Sequence, residues 1–251
     1  MNGILDISNI TMKFGELLAN QDVSFSLGEK EIVSLIGPNG AGKTTLFNCI
    51  TGFYLPFSGS VLYRGADGKE HTITGRPPDK ICKLGITRTF QISKAINEMT
   101  VEQNIMTGAF LHTNRTREAR NEAEKVMEMT GLTGIRHQLE SNLTIVDRKR
   151  VDIARALATK PRILMLDECM AGLNQTEVKD VMKLIVALRE QGLTLLIVEH
   201  IMEAIMPISD RIVVLDAGKK IAEGKPQMIA ENEDVIKAYL GEKYHAKTKK
   251  Y

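Results

Sequence analysis

The stretch Ile32-Val33-Ser34-Leu35-Ile36-Gly37-Pro38-Asn39-Gly40-Ala41-Gly42-Lys43-Thr44-Thr45 decides the fold. Its first five residues form a compact apolar run, as in a strand buried on both faces of a parallel sheet. The next eight match the phosphate-loop pattern at the correct spacing, and a helix over Thr45–Thr51 follows. Strand, glycine-rich loop and helix in that order are the context the motif requires. Glycines let backbone N–H groups close around phosphates where a Cβ would obstruct, and the helix N-terminus favours an anion. Gly37, Pro38, Asn39, Gly40, Ala41, Gly42, Lys43, Thr44 and Thr45 are therefore the candidate nucleotide-binding residues. Lys43 is expected on the β- and γ-phosphates of ATP, and the Thr44 hydroxyl on Mg²⁺.

Working outward, Ile163–Leu166, Leu193–Val198 and Ile212–Leu215 are similar apolar runs. Between the first two, Val178, Val181, Met182, Ile185 and Leu188 share one helical face, so strand, helix and strand form a βαβ unit. The opening differs: Ile4–Ile10 and Val23–Leu27 read as antiparallel strands, and Val61–Tyr63 extends that sheet. From about Val101 to Leu139 strand signals vanish, and Arg115–Met129 is rich in helix formers. The expected fold is α/β: a mostly parallel sheet flanked by helices, with an antiparallel β-subdomain and an inserted helical subdomain. The expected division is a single domain over 1–251. Its core would occupy about 1–93 and 161–241, its helical subdomain about 94–160 and a basic tail 242–251.

The run Ile163-Leu164-Met165-Leu166 ends in Asp167-Glu168. That places two carboxylates at the carboxyl edge of a parallel sheet, where ligands of open α/β folds bind. Asp167 suits a contact to Mg²⁺ or its waters, and Glu168 suits polarising the attacking water. An acidic strand end taken alone is often a solvated turn; the phosphate loop makes the functional reading prevail. His200, after another buried run, is a candidate for a γ-phosphate contact or a structural histidine. Gln91 follows the run Thr87–Phe90, and its amide is a candidate for Mg²⁺ or the water.

Hydrophobic residues make up 43% and charged residues 25% of the 251, enough for a sizeable core. A net charge of +2 argues against a nucleic-acid role. The basic end with Lys243, Lys247, Lys249 and Lys250 reads as solvated. Cys49, Cys82 and Cys169 share no metal-type spacing, and three cysteines do not suggest a disulfide framework. Neither a secretion signal nor an apolar run long enough to span a bilayer is expected.

The ordered set of Phe14, the phosphate loop, Gln91, Asp167-Glu168, Ala171-Gly172-Leu173-Asn174 and His200 resembles the nucleotide-binding domain of ATP-binding-cassette proteins, a P-loop NTPase core, over about Ile4–Gly241. The resemblance implies that Phe14 stacks on adenine, an ordinary core phenylalanine being the alternative. It also implies that the Gln91 segment meets a transmembrane permease subunit and that Asn174 lies in a dimer-interface loop. Catalysis would fall to Glu168, His200 and Gln91, and Mg²⁺ to Thr44, Gln91 and Asp167. Thr87-Arg88-Thr89-Phe90-Gln91, Ala171-Gly172-Leu173-Asn174, Ala222-Glu223-Gly224 and Ala238-Tyr239-Leu240-Gly241 look like the ATP-binding subunits of branched-chain amino acid importers, features largely shared with urea and amide importers. Such a subunit would sit peripherally on the cytoplasmic face of the membrane, with a solute-binding protein as an indirect partner. The competing reading is an ATP-binding regulatory or assembly module with little hydrolysis of its own.

One segment departs from the family. Where the family carries a Leu-Ser-Gly-Gly-Gln signature, this chain reads Leu143-Thr144-Ile145-Val146-Asp147. The resemblance implies that two cassettes pack head to tail, each signature capping the γ-phosphate held by the other chain. Ile145 and Val146 resist positive φ, and Asp147 is expected to cap the following helix and offset its positive end. Arg148-Lys149-Arg150 would either compensate or lie solvated. The expectation is a heterodimer with a second ATP-binding subunit whose signature is intact, a homodimer being the alternative. Cys169 also replaces the proline usual after the acidic pair.

Overall fold

The computed structural model describes residues 3–91 and 95–239. The basic tail and the Leu240-Gly241 end of the resemblance lie outside them. The chain forms two compact units, Met1–Pro78 with Leu196–Tyr251, and Asp79–Leu195.

In the first unit, β1 (Leu5–Phe14) and β2 (Leu17–Leu27) pair antiparallel from Leu5↔Leu27 to Phe14↔Leu17. Gly15, at φ +60, makes the tight turn between them. Val23, Phe25 and Leu27 are buried while Ser24 and Ser26 are only partly so, the alternation of a sheet with one covered face. After β3 (Ile32–Ile36) and α1 (Lys43–Ile50), β4 (Ser58–Arg64) pairs with β1, and β5 (Glu70–Thr72) pairs with β4. That sheet runs β2-β1-β4-β5.

The second unit opens with α2 (Pro78–Leu84) and β6 (Ile86–Arg88). Next come α3 (Val101–Ala109) and α4 (Thr116–Thr130), then short 3-10 turns at Thr133–Ile135 and Glu140–Asn142. Then follow α5 (Ile145–Leu157), β7 (Ile163–Asp167) and α6 (Gln175–Glu190). Here β6 and β7 pair parallel, Ile86↔Ile163 to Arg88↔Met165. All five residues of β7 are buried, at roughly 2 kcal/mol of hydrophobic stabilisation for each large apolar side chain. Two of these helices begin where side chains supply their orphan N–H groups with acceptors. Thr100 and Gln103 form a capping box on α3, and Asn174 and Glu177 form one on α6. Gly108 lets α3 approach α5, since a Cβ there would lie 2.2 Å from the Arg155 carbonyl oxygen.

The division between the units falls within β8 (Thr194–Val198), whose five residues are all buried. In the first unit the chain continues through α7 (Met202–Ile205), β9 (Arg211–Asp216), β10 (Lys219–Gly224) and α8 (Pro226–Ala230). There β9 runs parallel to β3, Val33↔Arg211 to Ile36↔Val214, and β10 pairs antiparallel with β9. Ile36, Ile205, Ile212, Val214, Ile229 and Val235 share one core cluster.

Several boundaries differ from the sequence reading: β2 begins at Leu17 and β4 spans Ser58–Arg64, and two further cases have a local explanation. The first helix begins at Lys43 because Gly42, at φ 93, ends the loop there. The strand expected over Ile4–Ile10 continues to Phe14, paired with β2 beyond register shifts between Ile7 and Ile10 and again near Met12. Such shifts break the alternation that marks a strand in sequence.

Candidate functional site

In the first unit the phosphate loop closes on its own lysine. The Lys43 side chain is buried, and its ammonium donates to the carbonyl oxygens of Gly37 at 2.7 Å and Pro38 at 2.9 Å. Ala41 N–H returns to the Pro38 oxygen at 3.2 Å, and Gly218 N–H reaches the Ala41 oxygen at 3.2 Å. Buried Asn20 holds the far end, donating its amide to the Gly42 oxygen at 3.1 Å. A Cβ on Gly42 would stand 2.3 Å from the Ala19 carbonyl oxygen, so only glycine fits. Gly40 has φ 79, and a Cβ there would meet nothing within 4 Å, so the loop is open on that side.

The helix behind this loop has no side-chain cap and no acidic residue in its first turn. Its positive end is therefore left for an external anion. Thr44 is exposed and Thr45 partly buried at that end. Phe14 closes β1 at 44% exposure, with its ring edge-to-face with Tyr54 at 5.4 Å between centroids. The core alternative for Phe14 is thereby set aside, because nearly half of its surface meets solvent. His200 follows buried Glu199, and its backbone N–H lies 3.3 Å from the Glu199 carboxylate; its own side chain is 53% exposed.

The second unit gathers Gln91, Asp167 and Glu168. The Gln91 side-chain amide donates to the Glu168 carboxylate at 2.7 Å. Glu168 has φ 48, an uncommon conformation for a residue with a Cβ. Lys149, projecting from α5, donates to the carbonyl oxygens of Glu168 at 3.1 Å and Gln91 at 3.3 Å. It ties the segment bearing the amide to the strand end bearing the carboxylates.

Asp167 is buried, and its Oδ2 accepts from Arg88 Nη2 at 2.8 Å. Its backbone N–H donates to Thr89 Oγ1 at 3.2 Å. Burial pushes the Asp167 carboxyl up and the Arg88 guanidinium down; each charge is favoured by the other, while Glu168 further raises Asp167. Asp167 Oδ1 is buried and accepts no hydrogen bond among the described residues, which fits a carboxylate awaiting a cation or its waters. No cluster of three or more His, Cys, Asp or Glu side chains that could hold a metal occurs among those residues. One or two carboxylate ligands completed by phosphates and waters is the usual arrangement for Mg²⁺.

The Leu143–Asp147 segment is built differently from the phosphate loop. Thr144 is the cap of α5, accepting the Asp147 N–H at 3.2 Å, and its hydroxyl donates to the Asp147 carboxylate at 2.7 Å. The expectation that Asp147 would be the cap is corrected: it is the third residue of the helix, because Thr144 already has the extended backbone that a cap needs. Ile145 and Val146 are its first two residues and lie outside the positive-φ set, so branching imposes no strain on them. Ile145 is instead 60% exposed. Of the three basic residues that follow, Arg148 reaches Glu140 and the Ser141 oxygen and Lys149 the carbonyls above, while Arg150 lies 3.9 Å from both Asp147 and Asp180, placing one of the three charges toward the Asp147 carboxylate.

Sequence reasoning gave Asn20, Arg88 and Lys149 no role of their own in the site. A signal existed for Arg88, since a guanidinium closing a strand in a buried sheet needs a partner anion.

Two independent similarities bear on this geometry. Residues 20–171 match the family described as "ABC transporter". The chain is 44% identical over 255 residues to the high-affinity branched-chain amino acid transport ATP-binding protein BraF of Pseudomonas aeruginosa, covering 95% of this chain and 98% of that one.

The chain belongs to the ABC transporter family.

It is a cassette ATPase that binds nucleotide. Residues 219–245 also match the family described as "Branched-chain amino acid ATP-binding cassette transporter". The corresponding transport protein LivG of Escherichia coli K12 is 44% identical over the same shares of the two chains. Among solved structures, the ADP conformation of an ATP-binding cassette of an ABC transporter superposes with a TM-score of 0.85 at 30% identity, covering 96% of this chain and 100% of that one. The mixed architecture of parallel and antiparallel sheets expected from the sequence is therefore the fold of a cassette ATPase.

Proposed function

We propose that this cassette is the ATP-hydrolysing subunit of an importer for branched-chain amino acids or related small amides. The observation that carries this reading is near-full-length identity to proteins named for branched-chain amino acid transport, which a phosphate loop alone would not produce. No helix among the described residues is long and apolar enough to cross a membrane. In this proposal the transmembrane permease subunits are separate chains, as the resemblance to importer ATP-binding subunits implies, this chain sits peripherally on the cytoplasmic face, and a solute-binding protein delivers the solute on the other side.

Each site residue has a role in the proposal. Phe14 stacks on adenine. The amides of Gly37–Thr45 and the Lys43 ammonium take the anionic phosphates, for which the uncapped α1 is suited. Thr44, Gln91 and Asp167 would hold Mg²⁺, Asp167 being the one with a buried carboxylate oxygen that accepts no hydrogen bond among the described residues. When bound, the ion neutralises charge on the β- and γ-phosphate oxygens. Glu168 orients the attacking water and accepts its proton as the new P–O bond forms and the bond to the β-phosphate oxygen breaks. His200 contacts the γ-phosphate.

The partner cassette is a different chain with an intact signature. The support is the closed Thr144–Asp147 pair, which holds a carboxylate where the family presents glycine amides and a serine hydroxyl. A carboxylate facing a phosphate in a partly dry interface is unfavourable by on the order of a few kcal/mol. Copurification from native membranes, followed by ATP-driven uptake into proteoliposomes, tests the whole reading. A second cassette chain, two permeases and leucine-class uptake are expected. Recovery of this chain without any permease, or ATPase activity indifferent to every amino acid and amide, would reject it.

A further inference from the structure

The buried pair of Arg88 and Asp167 has a geometry that structural support alone does not require. Arg88 closes β6 opposite Met165 on β7, and its side chain is 8% exposed while that of Asp167 is 2% exposed. The guanidinium is held from more than one direction. Its Nε donates to the Thr89 carbonyl oxygen at 3.1 Å, its carbon lies 4.9 Å from the centre of the Phe90 ring, and Nη2 reaches Asp167 Oδ2 at 2.8 Å. A planar cation fixed in this way can fix a carboxylate in turn. The terminal torsion of an aspartate is otherwise broad. Pinning Oδ2, with the backbone N–H tied to Thr89 Oγ1, leaves Oδ1 one direction in which to point. That oxygen is the buried one with no hydrogen-bond partner among the described residues.

We propose that Arg88 is a positioning residue for the metal-dependent step, aiming Asp167 Oδ1 at the hydrated cation that accompanies the nucleotide. This rests on the reading of Asp167 as a magnesium-facing carboxylate. The Arg88 contacts above are to protein groups, and its role in the proposal runs through Asp167. Arg88 also packs on Phe90, next to Gln91.

The test uses the assembled transporter with Arg88→Lys, Arg88→Gln and Asp167→Asn. The readout is Mn²⁺ binding in the presence of ADP, followed by electron paramagnetic resonance, alongside ADP affinity in EDTA. Arg88→Lys keeps a positive charge but not the planar fork, and serves if Arg88→Gln does not fold. Both Arg88 variants are expected to weaken Mn²⁺ binding about tenfold or more and to leave metal-free ADP affinity within about twofold of the parent. Unchanged Mn²⁺ affinity in a folded Arg88→Lys, with Asp167→Asn weakened, would overturn the role of Arg88 alone. Unchanged affinity in Asp167→Asn would overturn the reading of Asp167 beneath it. Failure of both Arg88 variants to fold would assign the residue to structure and overturn the proposal.

Discussion

The Thr144 hydroxyl donates to the Asp147 carboxylate at 2.7 Å and accepts the Asp147 backbone N–H at 3.2 Å. This reciprocal contact supplies the start of α5 with both a cap and a negative charge from its own sequence. The start of α1 has neither. Two helix N-termini in one chain are thus prepared oppositely, one left positive and one neutralised.

Restoring the family pattern should therefore raise activity. The combined substitution Ile145→Gly, Val146→Gly and Asp147→Gln, assayed on this chain as a homodimer, is expected to increase ATP turnover by at least about tenfold, in line with what a restored set of backbone donors contributes. Steady-state phosphate release is the measurement, and full turnover by the unmodified homodimer would contradict the premise.

The cap also has a stability consequence. Thr144→Ala should lower unfolding free energy by about 1 kcal/mol, or roughly 2–4 °C in Tm for a chain of this size. Thr144→Ser keeps the acceptor and should remain near the parent in calorimetry.

Glu168→Gln separates binding from chemistry. Loss of the proton acceptor should reduce kcat by about 10²- to 10⁴-fold while nucleotide affinity is retained, so that ATP accumulates in a closed dimer visible by size-exclusion chromatography. Retained turnover would remove Glu168 from the reaction.

Burial pushes the Cys49 thiol up from 9.0 to about 11. The folded state therefore keeps a proton that the unfolded state releases between those values, and stability must fall as pH rises through that window. The loss should be on the order of 2 kcal/mol by pH 11. Urea titrations between pH 8 and 11 on the parent and Cys49→Ala should show a steeper decline in the parent; parallel curves would contradict it.

How much of this was readable in the sequence follows from how local each feature is. The buried strands β3 and β7 announce themselves because every one of their positions is buried, leaving no polar alternation to confuse them. β5 and β10 gave no such signal: Glu70-His71-Thr72 and Lys219–Gly224 are polar, largely solvent-facing strands defined by their pairing. The phosphate loop lies within one continuous segment, so spacing revealed it. The Arg88–Asp167 pair spans 79 positions and the Lys149–Gln91 contact spans 58, and only the paired β6 and β7 and the approach of α5 bring them together. The signature segment was half legible. Its missing glycines were plain, but the choice of Thr144 over Asp147 as cap depended on backbone angles that composition does not carry.

In the proposed function, the loop closed around Lys43 receives a nucleotide's phosphates. Titration of a fluorescent ATP analogue into the purified chain, with Mg²⁺ present and its partner subunits supplied, tests it most directly. Saturable binding that competes with ATP and disappears in Lys43→Ala is predicted. Absence of binding by the parent chain, or equal binding by Lys43→Ala, would contradict it.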